Sequence, residues 1–135
     1  MKIVKISENK RAVAEAYVSL GNLSENVESH STTSLAYYEK GIEVDPTLPS
    51  AYVGKARELF KLGNISDSFD AISKSLEIYP FQASAYLQLA YQLKSLKKNE
   101  EALKAIQKLY EVVEKDITLN SQTKELIKTM AESLR

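Results

Sequence analysis

Apolar residues return along this chain at steps of three and four. Between 83 and 96, Ala85, Tyr86, Leu89, Ala90, Leu93 and Leu96 fall on one side of a helix. Between 101 and 113, Ala102, Ala105, Ile106, Leu109, Tyr110 and Val113 do the same. A third stripe runs through Leu119, Leu126, Ile127, Met130 and Leu134, and Asn120 or Ser121 can cap its start. Past Ile6, no stretch alternates apolar and polar residues between turn signals, so the pattern predicts an all-α chain.

The stripes repeat. Ala-Tyr occurs at 16–17, 51–52 and 85–86, in steps of 35 and then 34. Six further pairs stand at the second of these steps: Pro46 and Pro80, Ala56 and Ala90, Leu59 and Leu93, Phe69 and Leu103, Ile72 and Ile106, Leu76 and Tyr110. Each unit reads as two amphipathic helices, A and B, joined by a short turn. Gly63-Asn64 marks that turn in the second unit and Lys97-Lys98-Asn99 in the third. Pro46 and Pro80 close the first two units, because proline fits just beyond a helix and cannot continue one.

With these residues at this period, the chain resembles the tetratricopeptide repeat family over about 12–115. Tyr17, Tyr52 and Tyr86 stand where the family has its helix-A aromatic, and Gly21, Ala56 and Ala90 where helices A and B meet. Ser34, Ser68 and Ala102 are the helix-B counterparts, followed by Tyr38, Ile72 and Ile106. The next small position holds Gly41, Ser75 and then Leu109, a departure in the last unit, which also has Glu114 in place of the closing proline. Unit one carries a one-residue insertion within Asn22–Thr33. The resemblance implies a right-handed α-solenoid of three tetratricopeptide repeats, about 14–48, 49–82 and 83–116. A helix over 117–134 caps it, since the last repeat needs its apolar face covered. Residues 1–11 read as a basic N-terminal arm, with Lys2, Lys5, Lys10 and Arg11 against Glu8 alone, leaving 12–135 as a single domain.

Composition narrows the function. With 18 basic and 18 acidic residues among 135, nothing suggests binding by bulk neutralisation of phosphates, so no nucleic-acid partner is expected. The absence of cysteine excludes disulfide frameworks, zinc ribbons and thiol nucleophiles. No apolar run approaches a membrane span, and the apolar stretch at 1–7 is too short for a signal peptide, so a cytoplasmic chain without membrane association is expected. His30 is the single histidine and sits in a Ser/Thr-rich turn. No Gly-x-Ser-x-Gly elbow and no phosphate-cradling glycine loop occur. Glu100-Glu101 and Asp67/Asp70 lie at helix starts, where acidic side chains favour the helix dipole. No catalytic residue, cofactor or metal is expected.

What remains is surface. Tyr52, Ala56 and Leu59 share the core face of a helix, and the next stripe round is Val53, Arg57 and Phe60. Its equivalents are Val18, Asn22 and Glu25 in unit one, and Leu87, Tyr91 and Lys94 in unit three. Resemblance places such helix-A positions in a concave groove that binds a peptide or helical segment of another protein. The expected contact residues are Val18, Asn22, Val53, Arg57, Leu87, Gln88, Tyr91 and Lys94, with Arg57 and Tyr91 carrying most of the binding. A plainer reading has Val18, Val53 and Leu87 packing between neighbouring A helices. Family members that grip acidic heat-shock chaperone tails use a five-residue carboxylate clamp. Only Asn22 matches it; Val18, Gly54, Ser84 and Gln88 stand at the other positions, so that ligand is not expected. A non-catalytic adaptor or scaffold is the leading reading. The alternatives are a self-assembling, homo-oligomeric scaffold and a small chaperone like those of type III secretion.

Overall fold

The computed structural model of this chain describes residues 2–25 and 31–135, with side chains at 9–25 and 32–135. The described residues form α1 (Lys2–Glu25), α2 (Ser31–Val44), α3 (Pro49–Lys61), α4 (Ile65–Ile78), α5 (Ala83–Ser95), α6 (Asn99–Val112) and α7 (Ser121–Ser133), with a 3-10 turn at Val113–Lys115. No strand occurs among them. None of the described helices is long and apolar enough to cross a membrane. The segment carrying His30 lies outside the described residues.

Two turn chemistries punctuate the helices. After α3, Gly63 N–H donates to Phe60 O (3.1 Å) and Asn64 N–H to Leu59 O (2.9 Å), with Gly63 at φ 85°. This is the left-handed C-terminal stop that glycine makes easily. After α5 the same pair of bonds runs from Lys97 to Lys94 (3.0 Å) and from Lys98 to Leu93 (2.9 Å). There, however, the left-handed residue is Lys97, at φ 62°.

The second chemistry is an Asp-x-Thr-Leu turn. Asp45 Oδ1 accepts from Thr47 N (3.0 Å) and Oγ1 (2.6 Å), and Pro49 then opens α3. Asp116 Oδ1 accepts from Thr118 N (3.0 Å) and Oγ1 (2.5 Å) in the same way, and Asn120 caps α7 through Thr123 N. Asp116 follows Asp45 by two repeat periods and three positions more. The 3-10 turn, which stands where the spacing called for a proline at 114, supplies the extra three. Asp116 is also buried, and its Oδ2 accepts from Ala83 N (2.9 Å), the first residue of α5. Gln82, the residue preceding that helix, gives it no side-chain cap, so Asp116 serves as one from the far side of the repeat.

The helices gather into two compact units, residues 1–78 and 79–135. In the first, α1 packs on α2, α2 on α3 and α3 on α4, and α1 also reaches α3. In the second, α5 packs on α6 and on α7. The repeat positions read from the sequence are buried in both: Ser34, Ser68 and Ala102; Tyr38, Ile72 and Ile106; Gly41, Ser75 and Leu109. Ala56 and Ala90 are fully buried, and Tyr52 and Leu59 join them. Residues 2–11, treated as a separate arm in the sequence, form the opening turns of α1, where Arg11 Nε pairs with Asp45 Oδ2 at 3.3 Å.

Candidate interaction surface

One repeat differs from the others at its centre. Where α4 and α6 bury Ile72 and Ile106, α2 buries Tyr38 completely. A ring is longer than a branched aliphatic chain, and two glycines make the room. A Cβ at Gly21 would lie 2.7–3.0 Å from the Tyr38 ring, and one at Gly54 would lie 2.5 Å from its Cζ. The ring is therefore clasped between α1 and α3, each lacking a side chain at the point of contact.

A buried phenol needs partners for its hydroxyl. Tyr38 Oη lies 2.6 Å from Asn22 Oδ1 and 2.7 Å from Glu25 Oε1, and its single proton serves one acceptor at a time. Burial and the neighbouring Glu25 carboxylate push the phenol's pKa up, so it stays a donor. Glu25 Oε1 also accepts from Arg57 Nη1 at 2.5 Å. Burial works against the Glu25 charge, but Tyr38 and Arg57 together hold the carboxyl below the ordinary glutamate range. Beside it stands Glu58, fully buried, with Oε1 3.3 Å from Lys61 Nζ and Oε2 without a hydrogen-bond partner among the described residues.

The second unit presents a simpler face. Gln92, one repeat period beyond Glu58, is also fully buried, and Gln88 Nε2 donates to its Oε1 at 3.0 Å. Tyr91 stands between buried Ala90 and buried Gln92, yet is 46% exposed. Lys94, one turn further, is exposed as well.

Among the eight residues singled out in the sequence, Val18 and Val53 are buried, which agrees with packing between helices. Leu87 and Gln88 are half-buried. Asn22 is exposed but engaged with Tyr38, and Arg57, expected to wait for a ligand, is partly buried against Glu25. Tyr38 and Glu25 thereby join Asn22 to Arg57 in the first unit, while Gln88, Tyr91 and Lys94 share α5 in the second. Glu25 belonged to the groove stripe in the sequence but not to the expected contact residues, and Tyr38 and Glu58 were not placed in this site at all. The signal that could have found Glu58 is its spacing from Gln92, which is one full repeat.

No protein-family model matches the chain, and no curated protein matches it either. Solved structures do. The Arabidopsis OM64 TPR domain superposes with a TM-score of 0.68 at 15% identity, covering 92% of this chain and 98% of that one. The second TPR of Spaghetti (RPAP3), bound to the HSP90 peptide SRMEEVD, gives 0.67 at 14% identity over 78% of this chain and 97% of that one. The TPR2B domain of yeast Sti1, in complex with an Hsp70 peptide, gives 0.64 at 18% identity over 97% and 99%. With this likeness across nearly the whole chain, and the repeat positions buried as the period requires, the protein has the tetratricopeptide-repeat fold.

Proposed function

We propose that this chain is a non-catalytic protein-interaction module that takes a peptide segment of a partner against helix-A residues, those of α5 foremost. The observation that carries the reading is Tyr91. A large aromatic held 46% exposed between two buried residues offers rigid contact area at little entropic loss, as residues that dominate interfaces do. Exposed Lys94 supplies a charge one turn away. In the first unit, Asn22 and the outer edge of the Arg57 guanidinium are the polar contacts; Val18 and Val53 support the helices that present them. Leu87 and Gln88 flank Tyr91 and complete the set.

The ligand differs from an acidic chaperone tail such as the SRMEEVD peptide bound to one of the similar domains. Four of the five clamp side chains are missing, and Asn22, the fifth, already contacts Tyr38. At Gly54, where the clamp would need an asparagine, any side chain would strike the Tyr38 ring. The test is capture of partners from native extract by the wild type, by Tyr91→Ala with Lys94→Ala, and by Leu103→Ala as an exposed control on α6. The double variant should lose a partner that the wild type and the control retain, with its melting temperature unchanged, and SRMEEVD peptide should not compete. Capture that survives the double variant but fails with Leu103→Ala would move the binding face to the B helices.

A further inference from the structure

Glu58 is an ionisable side chain in a place where its repeat counterpart is permanently neutral. Both Glu58 and Gln92 are fully buried at the same helix-A position of successive repeats. The Gln92 amide can both donate and accept, whereas an ionised carboxylate only accepts. Among the described residues, Glu58 Oε2 has no hydrogen-bond partner. The groups among the described residues that face Glu58 are Glu25 from α1, Tyr38 from α2, and Lys61 from α3 itself. On α4, Asp67, Asp70 and Lys74 line a separate cavity of about 350 Å³ with Tyr52, Lys55 and Leu59.

Lys61 supplies one contact at 3.3 Å and is itself 46% exposed, so it compensates weakly for a charge on Glu58. Arg57 is committed to Glu25 at 2.5 Å. Two carboxylates side by side in a water-poor site do not both ionise readily. A protonated Glu58, by contrast, gains an acceptor in the Glu25 carboxylate.

We propose that Glu58 and Glu25 form a proton-binding site, in which Glu58 remains a neutral acid at pH values where exposed glutamates have ionised and loses its proton only with weakening of the hold between α1 and α3. The protonated side chain can then both donate and accept, as the neutral Gln92 amide can in the third repeat. Burial, then the hydrogen bond and charge of Glu25, raise the affinity of Glu58 for its proton, opposed by Lys61. The proton is part of the folded unit and is released on unfolding above the ordinary glutamate value of about 4.3, so stability declines as pH rises from there to the folded-state value. This inference does not depend on what the module binds.

Carbon-detected NMR of the glutamate δ-carbons, followed from acid to mildly alkaline pH on the full chain, reads the site directly. The Glu58 midpoint should lie above the exposed glutamates, which titrate near about 4.3, and Glu25→Gln should lower it. In parallel melts, Glu58→Gln should match the wild type below the unfolded glutamate value of about 4.3, pull ahead as pH rises toward that midpoint, and keep a constant lead above it. A Glu58 midpoint at or below those of exposed glutamates would overturn the proposal. So would wild-type and Glu58→Gln melting temperatures that run parallel across pH. Should Glu58→Gln fail to fold, the wild-type titration alone decides.

Discussion

Replacing Gly54 by alanine adds one methyl group at the most crowded point of the first unit. The new Cβ would lie 2.5 Å from Tyr38 Cζ and 2.7 Å from Cδ1, well inside van der Waals contact. The ring has no retreat, for Gly21 closes in from α1 and the hydroxyl is held near Asn22 and Glu25. Overpacking of this kind costs about 1–3 kcal/mol. Any shift that relieves it stretches the hydrogen bond to the Glu25 carboxylate, a bond worth about 1.5–3 kcal/mol. Against both stands the better helix propensity of alanine, about 1 kcal/mol. The net expectation is a loss of about 1.5–5 kcal/mol. In a Tyr38→Ile background, which copies Ile72 and Ile106, the clash disappears and only the propensity gain of about 1 kcal/mol survives. The same substitution thus changes sign, with a coupling of roughly 2.5–6 kcal/mol. Chemical denaturation of the four proteins, followed by far-UV circular dichroism, measures the cycle. If Gly54→Ala is neutral or stabilising beside Tyr38, or has equal effects in both backgrounds, the clasp is wrong.

Four further outcomes follow from other parts of the chain. Lys97→Gly should raise stability by about 1 kcal/mol in the same denaturation assay, because Lys97 holds a left-handed conformation that burdens any residue with a Cβ. Asp116→Ala should lower it by about 1–2 kcal/mol, since Ala83 N–H loses its cap and Thr118 its turn acceptor. Removal of 117–135 strips α7 from α5 and leaves the Tyr110 hydroxyl without Lys128 O and Glu132; calorimetry should show loss of the second unit's cooperative transition. The folded-state pKa of Glu25 is lowered, so its stabilisation is present above the ordinary glutamate value of about 4.3 and is lost as pH falls through the folded one. Melts of Glu25→Gln should therefore decline less steeply with acid than those of the wild type.

The repeat was legible because each unit buries the same positions. Ser68 and Ala102, or Ile72 and Ile106, meet equivalent neighbours, and a shared environment leaves a shared period. The α7 cap was legible for a local reason, since Asn120 bonds three residues ahead. Arg57 was not, because a helical wheel with one apolar stripe assumes one neighbour. Helix α3 has α1, α2 and α4 around it, so Val53, Gly54 and Glu58 are buried along with Tyr52, Ala56 and Leu59. Arg57 then finds its partner in Glu25, nearly a full repeat earlier in the chain. Nothing in the local pattern around residue 25 announces that pairing. Asp116 left a fainter trace, the recurrence of Asp-x-Thr-Leu at 45 and 116, which a search at the strict repeat period passes over.

Whether the helix-A face engages a partner protein is decided by photo-crosslinking. A benzophenone amino acid placed at Tyr91, and separately at exposed Leu103 on α6, reports what each surface touches in native extract. Position 91 should give a discrete adduct with one partner, mapping to a single peptide segment of that partner, and position 103 should give none. Adducts from position 103 alone, or from position 91 only to other copies of this chain, would refute engagement of a partner by the helix-A face.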